Sequence, residues 1–527
     1  MKLRMVYIGT SFSAYGFRLL GSIVRKQFPD CKIQFVMCAN IRNFLNIILP
    51  PTTYSSSLSE EEADKIAEEL SDADILGLSA MSEFAKPTKK IISAVRKRNP
   101  KTFIVWGGVH GIMHPEDAIE HADAVCTNEA EEVFPEFLEK FSNGENYKDV
   151  GNFWFRDGSD IIKNEFAPLL TSDGLDDLPL PIYGENELIY ESGKGFTPIT
   201  KKHYLAFDAL SYNTVWSRGC PFFCSFCGNT RFLEIDKTFG KLRHSSVDHV
   251  INEILAAVKQ FPHISSIAFH DDCLIALPED ILRSFAKQMR SRVGLPLAIH
   301  GVTPAHINRD RIAILLDAGL NRVRMGIQSG SDKLLKFYKR PNRAGLVKEA
   351  IDILGEFSDK MMPPTYDMIF DNPIETQEDI NDTLRLIYDI PRPFVLNICS
   401  LRQIPNTELG RQLAALGAQV EGIENLNDCL KPTYSNVLML IVTLVKIPRP
   451  LFEYLLKFTR PYQESAHIFG PLIVLFQLLN YIKRAYYHFK WLDFSVVFGR
   501  LGLGLRRLGF LKSRPSFSPH SSYKLKS

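Results

Sequence analysis

The sequence lacks a strong excess of charge, a disulfide pattern and a long apolar run. Its 527 residues contain 62 Lys and Arg against 60 Asp and Glu, and 45% of residues are hydrophobic. This balance indicates neither nucleic-acid binding nor disorder for the chain as a whole. The apolar segment 468–482 has 15 residues and contains Gly470 and Pro471, whereas a bilayer span needs about 20. The length predicts two or three domains.

The cysteines are too dispersed for a disulfide framework. There are nine, an odd number, at positions 31, 38, 126, 220, 224, 227, 273, 399 and 429. Such a set suits a reducing compartment. The first nine residues are typical of a short strand and show no cleavage site. We therefore expect a cytoplasmic protein without a signal peptide.

Three of the cysteines form a compact motif. Cys220, Cys224 and Cys227 have the spacing C-x3-C-x2-C and follow an apolar stretch, 212–216. Four-iron clusters normally take four thiolates, so three would leave one iron open to bind a substrate. The alternatives are a zinc knuckle or three unrelated thiols. A structural zinc site needs a fourth Cys or His at short spacing, and Asn229 and Arg231 cannot supply it.

This motif, with Phe226 before its last cysteine, resembles the cluster loop of the radical S-adenosylmethionine (SAM) enzymes. In that family the open iron chelates SAM, and one electron cleaves SAM to a 5′-deoxyadenosyl radical. The resemblance therefore implies a four-iron four-sulfur cluster, SAM, and an external one-electron donor of the flavodoxin or ferredoxin type.

Four later segments support the resemblance in the expected order: 267–273 with its acidic pair, 325–332, 366–376 and 405–409. Strand–helix alternation resumes six times between residues 212 and 417, which predicts a partial (β/α)6 barrel with its chemistry at the carboxyl ends of the strands. Seven residues are the predicted SAM contacts: Phe226, Asp271, Asp272, Gln328, Ser329, Arg340 and Asn372.

The first 145 residues alternate strands and helices, and Ser59 and Glu62 form a predicted capping box. This pattern predicts a doubly wound, Rossmann-like parallel sheet that binds ligands at the carboxyl ends of its strands. The segments 77–81, 106–110 and 128–131 resemble those of the cobalamin-binding domain that often precedes a radical SAM barrel. The predicted cobalamin contacts are Ser79, Met81, Gly107, Gly108, His110 and Glu129.

The sequence departs from the cobalamin-domain pattern at two places. The loop 9–16 lacks the D-x-H-x-x-G motif whose histidine ligates cobalt. Many cobalamin-dependent radical enzymes of this class also lack it, so the lower ligand of cobalt stays open. The segment 128–131 is Asn-Glu-Ala-Glu where glycines are usual. The alternative is a Rossmann-like sheet without a ligand.

The predicted domains are a cobalamin-binding domain at 1–145, a connector at 146–210, a radical SAM barrel at 211–417 and a helical, basic tail at 418–527. Residues 483–527 hold ten Lys and Arg against one acid, Asp493, interleaved with aromatic residues. This composition predicts either peripheral contact with an anionic membrane surface or a helical cap on the barrel. RNA binding is a lesser alternative for the tail, and no nucleic-acid partner is expected.

Taken together, the resemblance is to the class B methyltransferase branch of the family. It implies methyl transfer from cobalamin to an unactivated carbon of a small-molecule, lipid or natural-product substrate, with phosphorus as an alternative acceptor. A cobalamin-assisted cyclase or rearrangement enzyme is the rival within enzymes, and a cobalamin or redox sensor is the alternative outside them. A methylthiotransferase is disfavoured, because Cys31, Cys38 and Cys126 lack the spacing of a second cluster.

Overall fold

The computed structural model describes residues 1–12, 14–38, 58–181, 183, 187–208, 210–340, 343–418, 420–423, 430–461, 465–496 and 499–510. Its strands are β1 (Leu3–Gly9), β2 (Lys32–Met37), β3 (Ile75–Ala80), β4 (Phe103–Gly107), β5 (Ala124–Cys126), β6 (Phe153–Asp157), β7 (Asp160–Lys163), β8 (Glu187–Glu191), β9 (Gly195–Pro198), β10 (Ser211–Thr214), β11 (Ser217–Arg218), β12 (Arg243–His244), β13 (Ser266–Phe269), β14 (Leu297–Val302), β15 (Leu320–Gln328), β16 (Thr365–Phe370) and β17 (Val395–Ser400).

The α-helices, numbered within the described residues, are α1 (Tyr15–Gln27), α2 (Glu60–Leu70), α3 (Ala85–Arg98), α4 (Val109–Met113), α5 (Pro115–Ile119), α6 (Val133–Asn143), α7 (Ser172–Asp176), α8 (Lys201–Phe207), α9 (Asn229–Ile235), α10 (Val247–Gln260), α11 (Glu279–Gln288), α12 (Arg309–Asp317), α13 (Asp332–Phe337), α14 (Ala344–Glu356), α15 (Gln377–Asp389), α16 (Glu408–Ala415), α17 (Tyr434–Leu444), α18 (Arg449–Leu456), α19 (Ala466–Lys490) and α20 (Gly499–Arg507).

The N-terminal region is a nine-stranded sheet in the order β7-β6-β5-β4-β3-β1-β2-β8-β9. Its central strands are parallel, and β1 buries every residue except the half-buried Tyr7. Such uniform burial is typical of a parallel sheet covered by helices on both faces. The predicted capping box of α2 is present, with the Ser59 hydroxyl accepting the backbone N–H of Glu62.

Residues 146–210 do more than connect two domains. They supply the hairpin β6–β7 beside β5 and the hairpin β8–β9 beside β2, so they complete both edges of the N-terminal sheet. Parallel sheets with bare edges invite pairing with other chains, and an added antiparallel hairpin moves the edge to a short strand.

The second region is a six-stranded parallel sheet in the order β10-β13-β14-β15-β16-β17, in agreement with the predicted partial barrel. Its outward side chains, such as Ile267, Val323 and Tyr366, are buried beneath the surrounding helices. Its inward side chains are mostly polar or small, because the strands curve around a lumen and not around a solid core.

The tail is part of the barrel in the structure. Five α17 residues (Val437–Leu440 and Val442) belong to the same apolar core as the barrel strands, together with Phe452 and Leu456 of α18. At the other end of the tail, Asp493 accepts the side-chain N–H of Asn321, and the backbone N–H of Leu210 donates to the Ser495 carbonyl. The cap alternative is therefore correct for α17, α18 and the segment 493–495.

Helix α19 is longer than the apolar segment predicted to be too short for a bilayer. It runs for 25 residues through Gly470 and Pro471. The stretch His467–Lys490 is long and apolar enough to cross a membrane by length and composition alone, and 6% of its tested window is buried. However, Lys483 donates to the carbonyl of Thr443, and Arg484 donates to that of Leu396, so its second half is fastened to the barrel.

Candidate functional site

The cysteine loop is anchored by one buried carboxylate. Asp271, just after β13, accepts the backbone N–H groups of Trp216 and Ser217 and the Ser217 hydroxyl at 2.6 Å. Burial raises the pKa of Asp271 to about 7. Gly219 then turns the chain with φ +104°, where a Cβ would lie 2.6 Å from the Phe239 carbonyl oxygen. Glycine is therefore required at this turn.

The loop that carries the three thiols is also bonded to the end of α13 and to the start of α16. Cys220 and Cys224 are buried and Cys227 is half-buried. The loop is tied to Tyr338 and Leu409 through the backbone N–H and carbonyl of Ser225. In the metal-free protein, burial raises the pKa of Cys227 to about 12, so metal binding must release its proton.

The positive charge beside the thiols comes from Arg340. Its Nη1 lies 3.4 Å from Sγ of Cys224, and its Nη2 donates to the Gly326 carbonyl at 2.6 Å. A guanidinium in this position stabilises a thiolate and a bound anion.

The donor set of the loop fits a cluster. Three thiolates on one loop would ligate three irons of a four-iron cluster and leave one iron open. In the described part of the chain, the three potential ligands that lie within 4.8 Å of one another, as a single metal ion would need, are His110, His114 and Asp117 and not the cysteines.

A fourth thiol was missed in the sequence. Cys273, fully buried, lies close enough to Cys220 to raise the pKa of that thiol. The only signal in the sequence was its position directly after the two strand-end carboxylates. Asp272, the residue before Cys273, is half-buried; desolvation raises its pKa, and its charge raises the pKa of Cys220 and Cys227.

The rim of the barrel contains strained backbone. Gln328 and Asp371, at the ends of β15 and β16, have φ of 73° and 60°. Non-glycine residues in this region cost free energy and cluster at binding sites. Gly326 leaves room for Gln328, because a Cβ on Gly326 would lie 2.6 Å from Nε2 of that side chain.

The other predicted SAM residues divide into two groups. Phe226 packs edge-on against Tyr338, whose hydroxyl accepts a hydrogen bond from Asn372 at 2.9 Å, so these three lie together beside the cysteine loop. Ser329 is fully buried, and its hydroxyl is paired with that of Thr383, away from the thiols. The SAM roles of these residues stay predictions.

The carboxyl edge of the N-terminal sheet presents backbone rather than side chains. Gly108 has φ +79°, and a Cβ there would lie 2.7 Å from Oγ of Ser79 and 2.9 Å from the Ala80 nitrogen. Gly107 ends β4, and Met81 is 43% exposed beside this edge. A side chain at position 108 would overlap the end of β3, so glycine is required where the chain passes from β4 into α4.

Two buried polar atoms near the edge also fit a bound cofactor. Nε1 of Trp106 and Nδ2 of Asn128 are buried without a hydrogen-bond partner among the described residues. Unpaired buried donors are costly, and a ligand that accepts from them removes the cost. The residues present therefore fit the cobalamin that the sequence predicts.

Two predicted cobalamin contacts have other partners in the structure. His110 is buried beneath the edge, with Nδ1 at 3.2 Å from the Ser82 hydroxyl and Nε2 at 2.9 Å from Asp117. Lys89 donates to the second Asp117 oxygen, so a metal ion among His110, His114 and Asp117 would compete with a lysine. Glu129 pairs with Arg243 at 2.8 Å, which joins the two regions.

The two edges face each other across short contacts. A Cβ on Gly228, directly after the third cysteine, would lie 3.6 Å from Sδ of Met113 in α4, the helix that follows the glycine pair. Asn406 donates to the Met113 carbonyl at 2.7 Å, and Arg218 pairs with Glu131 at 2.6 Å. The cysteine loop is therefore adjacent to the carboxyl edge of the N-terminal sheet at Gly107 and Gly108, which we call the glycine edge.

Comparison with known proteins agrees with this geometry. Residues 5–138 match the B12 binding domain, and residues 214–387 match the Radical SAM superfamily. The chain is 25% identical over 321 residues to an uncharacterized methyltransferase of Pyrococcus horikoshii, a match covering 60% of this chain and 64% of that one. It is 24% identical over 432 residues to an anaerobic magnesium-protoporphyrin IX monomethyl ester cyclase of Cereibacter sphaeroides, covering 78% and 64%. The chain thus spans slightly less than two thirds of each relative.

The fold is shared with a solved structure of the cobalamin-dependent SAM radical enzyme OxsB, bound to aqua-cobalamin and SAM. The match has a TM-score of 0.60 at 14% identity and covers 97% of this chain and 84% of that one. The two domain matches identify the cofactors as a four-iron four-sulfur cluster, SAM and cobalamin. The chain therefore contains a radical SAM domain, preceded by a B12-binding domain.

Proposed function

We propose that the protein is a radical SAM methyltransferase that transfers a methyl group from cobalamin to an unactivated carbon of a lipid or natural product. The observation that supports this most is the contact between α4, after Gly107 and Gly108, and Gly228, after Cys227. A methyl donor held at the glycine edge is thereby adjacent to the radical source held by the cysteines. A carbon without acidity cannot act as a nucleophile, so proximity of these two centres is what the reaction requires.

The side chains and backbone of the protein would bind and orient the cofactors. Cys220, Cys224 and Cys227 would hold the cluster, and Arg340 would balance negative charge beside it. The carboxyl edge of the N-terminal sheet, at Gly107 and Gly108, would hold the cobalamin tail. When bound, the cluster and SAM supply a carbon radical, and cobalamin supplies the methyl group. A flavodoxin- or ferredoxin-type protein would supply the electron.

The test is anaerobic reconstitution with iron, sulfide and cobalamin, followed by SAM and dithionite. We expect 5′-deoxyadenosine without substrate, and S-adenosylhomocysteine alongside it when a substrate is methylated, because a second SAM must restore the methyl donor. Reconstituted protein that forms no 5′-deoxyadenosine would contradict the proposal and favour the sensor alternative.

A cyclase is the second candidate, because one relative is a cyclase matched over 78% of this chain. The same two domains serve both reactions, so the distinction rests on the products. A cyclisation consumes SAM to form 5′-deoxyadenosine without S-adenosylhomocysteine. Turnover of the substrate with 5′-deoxyadenosine as the only SAM product would favour the cyclase.

We propose further that the substrate is large, apolar or membrane-derived and that α19 contacts the cytoplasmic face of the membrane. Several apolar side chains of α19 are strongly exposed: Ile468 at 63%, Val474 at 57%, Leu475 at 48% and Ile482 at 54%. An apolar helical face followed by a basic segment favours an anionic bilayer surface. The bonds from Lys483 and Arg484 to the barrel support a helix that lies on the membrane instead of crossing it.

Truncation is a poor test of this contact, because α17 and α18 belong to the barrel core. A double variant, Ile468→Glu with Leu475→Glu, places two charges on the face that these residues share with Ile482 and changes no residue of the apolar core. We expect the wild type to co-sediment with vesicles containing phosphatidylserine at low salt and the variant to stay in solution. Ile161→Glu, exposed at 40% on the hairpin β6–β7, is the matched control. Equal, negligible binding of all three proteins would refute membrane contact.

A further inference from the structure

One layer of the barrel lumen, below the SAM motifs, is lined by polar residues from every strand or the residue just after it. They are Asn213 of β10, His270 after β13, His300 of β14, Arg324 of β15, Asp367 of β16 and Asn397 of β17. The strand register brings Gly326 beside Asp367, and Asp367 beside Asn397. We call these six residues the lumen ring. None of the six is among the predicted SAM contacts, although His270 and Asp367 lie within the segments 267–273 and 366–376.

The lumen ring faces open space. Arg324 lies on an inner strand with neighbours on both sides, yet its side chain is 44% exposed, whereas the outward residues Val323 and Met325 are buried. An inward charged residue can be this exposed only if the lumen holds solvent or a ligand.

The ring residues are held in fixed positions by one another. Nε of Arg324 donates to both carboxylate oxygens of Asp367, at 2.8 and 2.9 Å, and Asn397 donates to the same carboxylate. The imidazoles of His270 and His300 stack with centroids 4.4 Å apart, and His270 is 3.1 Å from the Asn213 side-chain oxygen. The bond through Nε leaves the terminal nitrogens of Arg324 for another acceptor.

The electrostatics of the ring are positive. Burial lowers the pKa of His270 and of His300, and the charge of Arg324 lowers both further. The charges of His270 and Arg322 also lower the pKa of His300. Burial lowers the pKa of Arg484 of α19, and the charges of Arg324 and Asp367 also act on it. Within the described ranges, no carboxylate lies within ion-pair distance of Arg484. Arg322, one layer below, is paired with Asp493. Arg322, Arg324 and Arg484 together carry one more charge than Asp367 and Asp493 balance.

From this geometry we infer that the lumen ring binds an anionic oxygen group of the substrate, a carboxylate or a phosphate, through the terminal nitrogens of Arg324. The planar guanidinium matches both groups with two parallel hydrogen bonds. The stacked histidines, kept neutral, supply a flat wall beside it. This inference rests on the proposed function, which it deepens by naming a chemical feature of the substrate. An anionic head group fixed in the lumen would leave an apolar remainder at the strand ends.

Octanoate, octyl phosphate and the uncharged octanamide are suitable probes. They would be titrated calorimetrically into the anaerobic holoenzyme, without reductant and with saturating SAM, so that the carboxylate of SAM occupies its own site. We expect at least one acid to bind tenfold or more tightly than the amide, and the stronger acid identifies the anion class. Arg324→Gln should abolish this preference, and Arg324→Lys should retain part of it.

Two further variants make the test specific. Asp367→Asn should strengthen binding of the acid, because it removes a negative charge beside Arg324, while the amide oxygen can still accept from Nε. Arg309→Gln, which removes an exposed arginine paired with Glu356 on the outer surface, should change nothing. Acid and amide binding equally, no probe binding, or a preference that persists in Arg324→Gln would overturn the inference. Formation of 5′-deoxyadenosine by the same preparations separates this outcome from failure of the proposed function.

Discussion

The two sheets of this protein offer ligands different chemistry at edges that face each other. In the N-terminal sheet, β1 and β3 are buried almost throughout, and the ligand edge is backbone around Gly107 and Gly108. In the barrel, the outward side chains are buried and the inward ones, such as Arg324 and Asp367, are polar. A flat sheet covered by helices on both faces has room for a ligand only beyond its strand ends. A curved sheet also has a lumen.

This difference shows how one chain can separate holding a cofactor from recognising a substrate. Backbone atoms at the glycine edge recognise a ligand by its shape and depend little on which side chains lie nearby. Side chains on six strands can change one at a time without altering the fold. We therefore expect substitutions at the glycine edge to affect cobalamin alone, and substitutions in the lumen to affect substrate alone.

The largest effect is expected at the cysteine loop, which belongs to the barrel. Cys224→Ala removes a thiolate ligand and the contact between that sulfur and Nη1 of Arg340. We expect loss of the four-iron cluster and at least a thousandfold fall in 5′-deoxyadenosine formation, with cobalamin content unchanged. Iron analysis and product chromatography measure both. Cys31→Ala, a buried thiol of the N-terminal sheet, is the control. A Cys224→Ala protein with four irons and normal cleavage of SAM would contradict the assignment.

The reciprocal change is Gly108→Val in the N-terminal sheet. Its Cβ would lie 2.7 Å from Oγ of Ser79 at a φ of +79°, which combines steric overlap with a backbone conformation that β-branched residues avoid. We expect cobalamin affinity to fall by about 100-fold, or about 2.7 kcal/mol, while cleavage of SAM continues. Absorbance of bound cobalamin gives the affinity. Gly158→Val, at a φ of +65° in a hairpin turn with nothing near its Cβ, tests for strain alone. Equal cobalamin loss in both variants would show that steric overlap at the glycine edge is not the cause of the loss.

The lumen should also respond to pH, through His300. Burial, and then the charges of His270, Arg324 and Arg322, lower the pKa of His300 to about 3. Its ordinary value is about 6.5, so the unfolded chain binds this proton first and acidification destabilises the fold. Between pH 7.5 and 5 this amounts to about 2 kcal/mol.

The check compares urea unfolding of the barrel in the wild type and in His300→Asn. The stability advantage of the wild type over the variant should shrink by about 2 kcal/mol as the pH falls from 7.5 to 5. A difference that stays constant over this range would mean that His300 is protonated as readily in the folded protein as in the unfolded chain.

The order of these effects explains what the sequence could predict. Strand positions followed from local apolar periodicity: the strand expected within the first nine residues is β1, Leu3–Gly9. The cysteine trio was evident because three ligands to one cluster lie on one loop. The lumen ring was not, since its six members come from six strands and meet only through the register. The pairing of residues 146–210 with the N-terminal sheet was likewise non-local.

Side-chain direction was the other limit. His110 follows the glycine pair in sequence, but it lies in α4 and is directed beneath the edge to Ser82 and Asp117. Glu129 follows β5, but its carboxylate reaches Arg243 of the barrel. Motif position locates the backbone of such residues, whereas the partners of their side chains depend on elements distant in the chain.

The smallest effect is expected where the two regions meet. Asn406 has φ 57° and donates to the Met113 carbonyl. Asn406→Gly keeps the left-handed backbone and deletes one hydrogen bond, worth about 1 kcal/mol. Both cofactors should stay bound and 5′-deoxyadenosine should form at the normal rate. Only the ratio of S-adenosylhomocysteine to 5′-deoxyadenosine should fall, by a few-fold, because the methyl donor and the radical source are less precisely aligned. An unchanged ratio would show that Gly228 and the paired Arg218 and Glu131 suffice to align the edges. A loss of cobalamin would show that this contact holds the cofactor and that the two regions are not separable in the way that their sheets suggest.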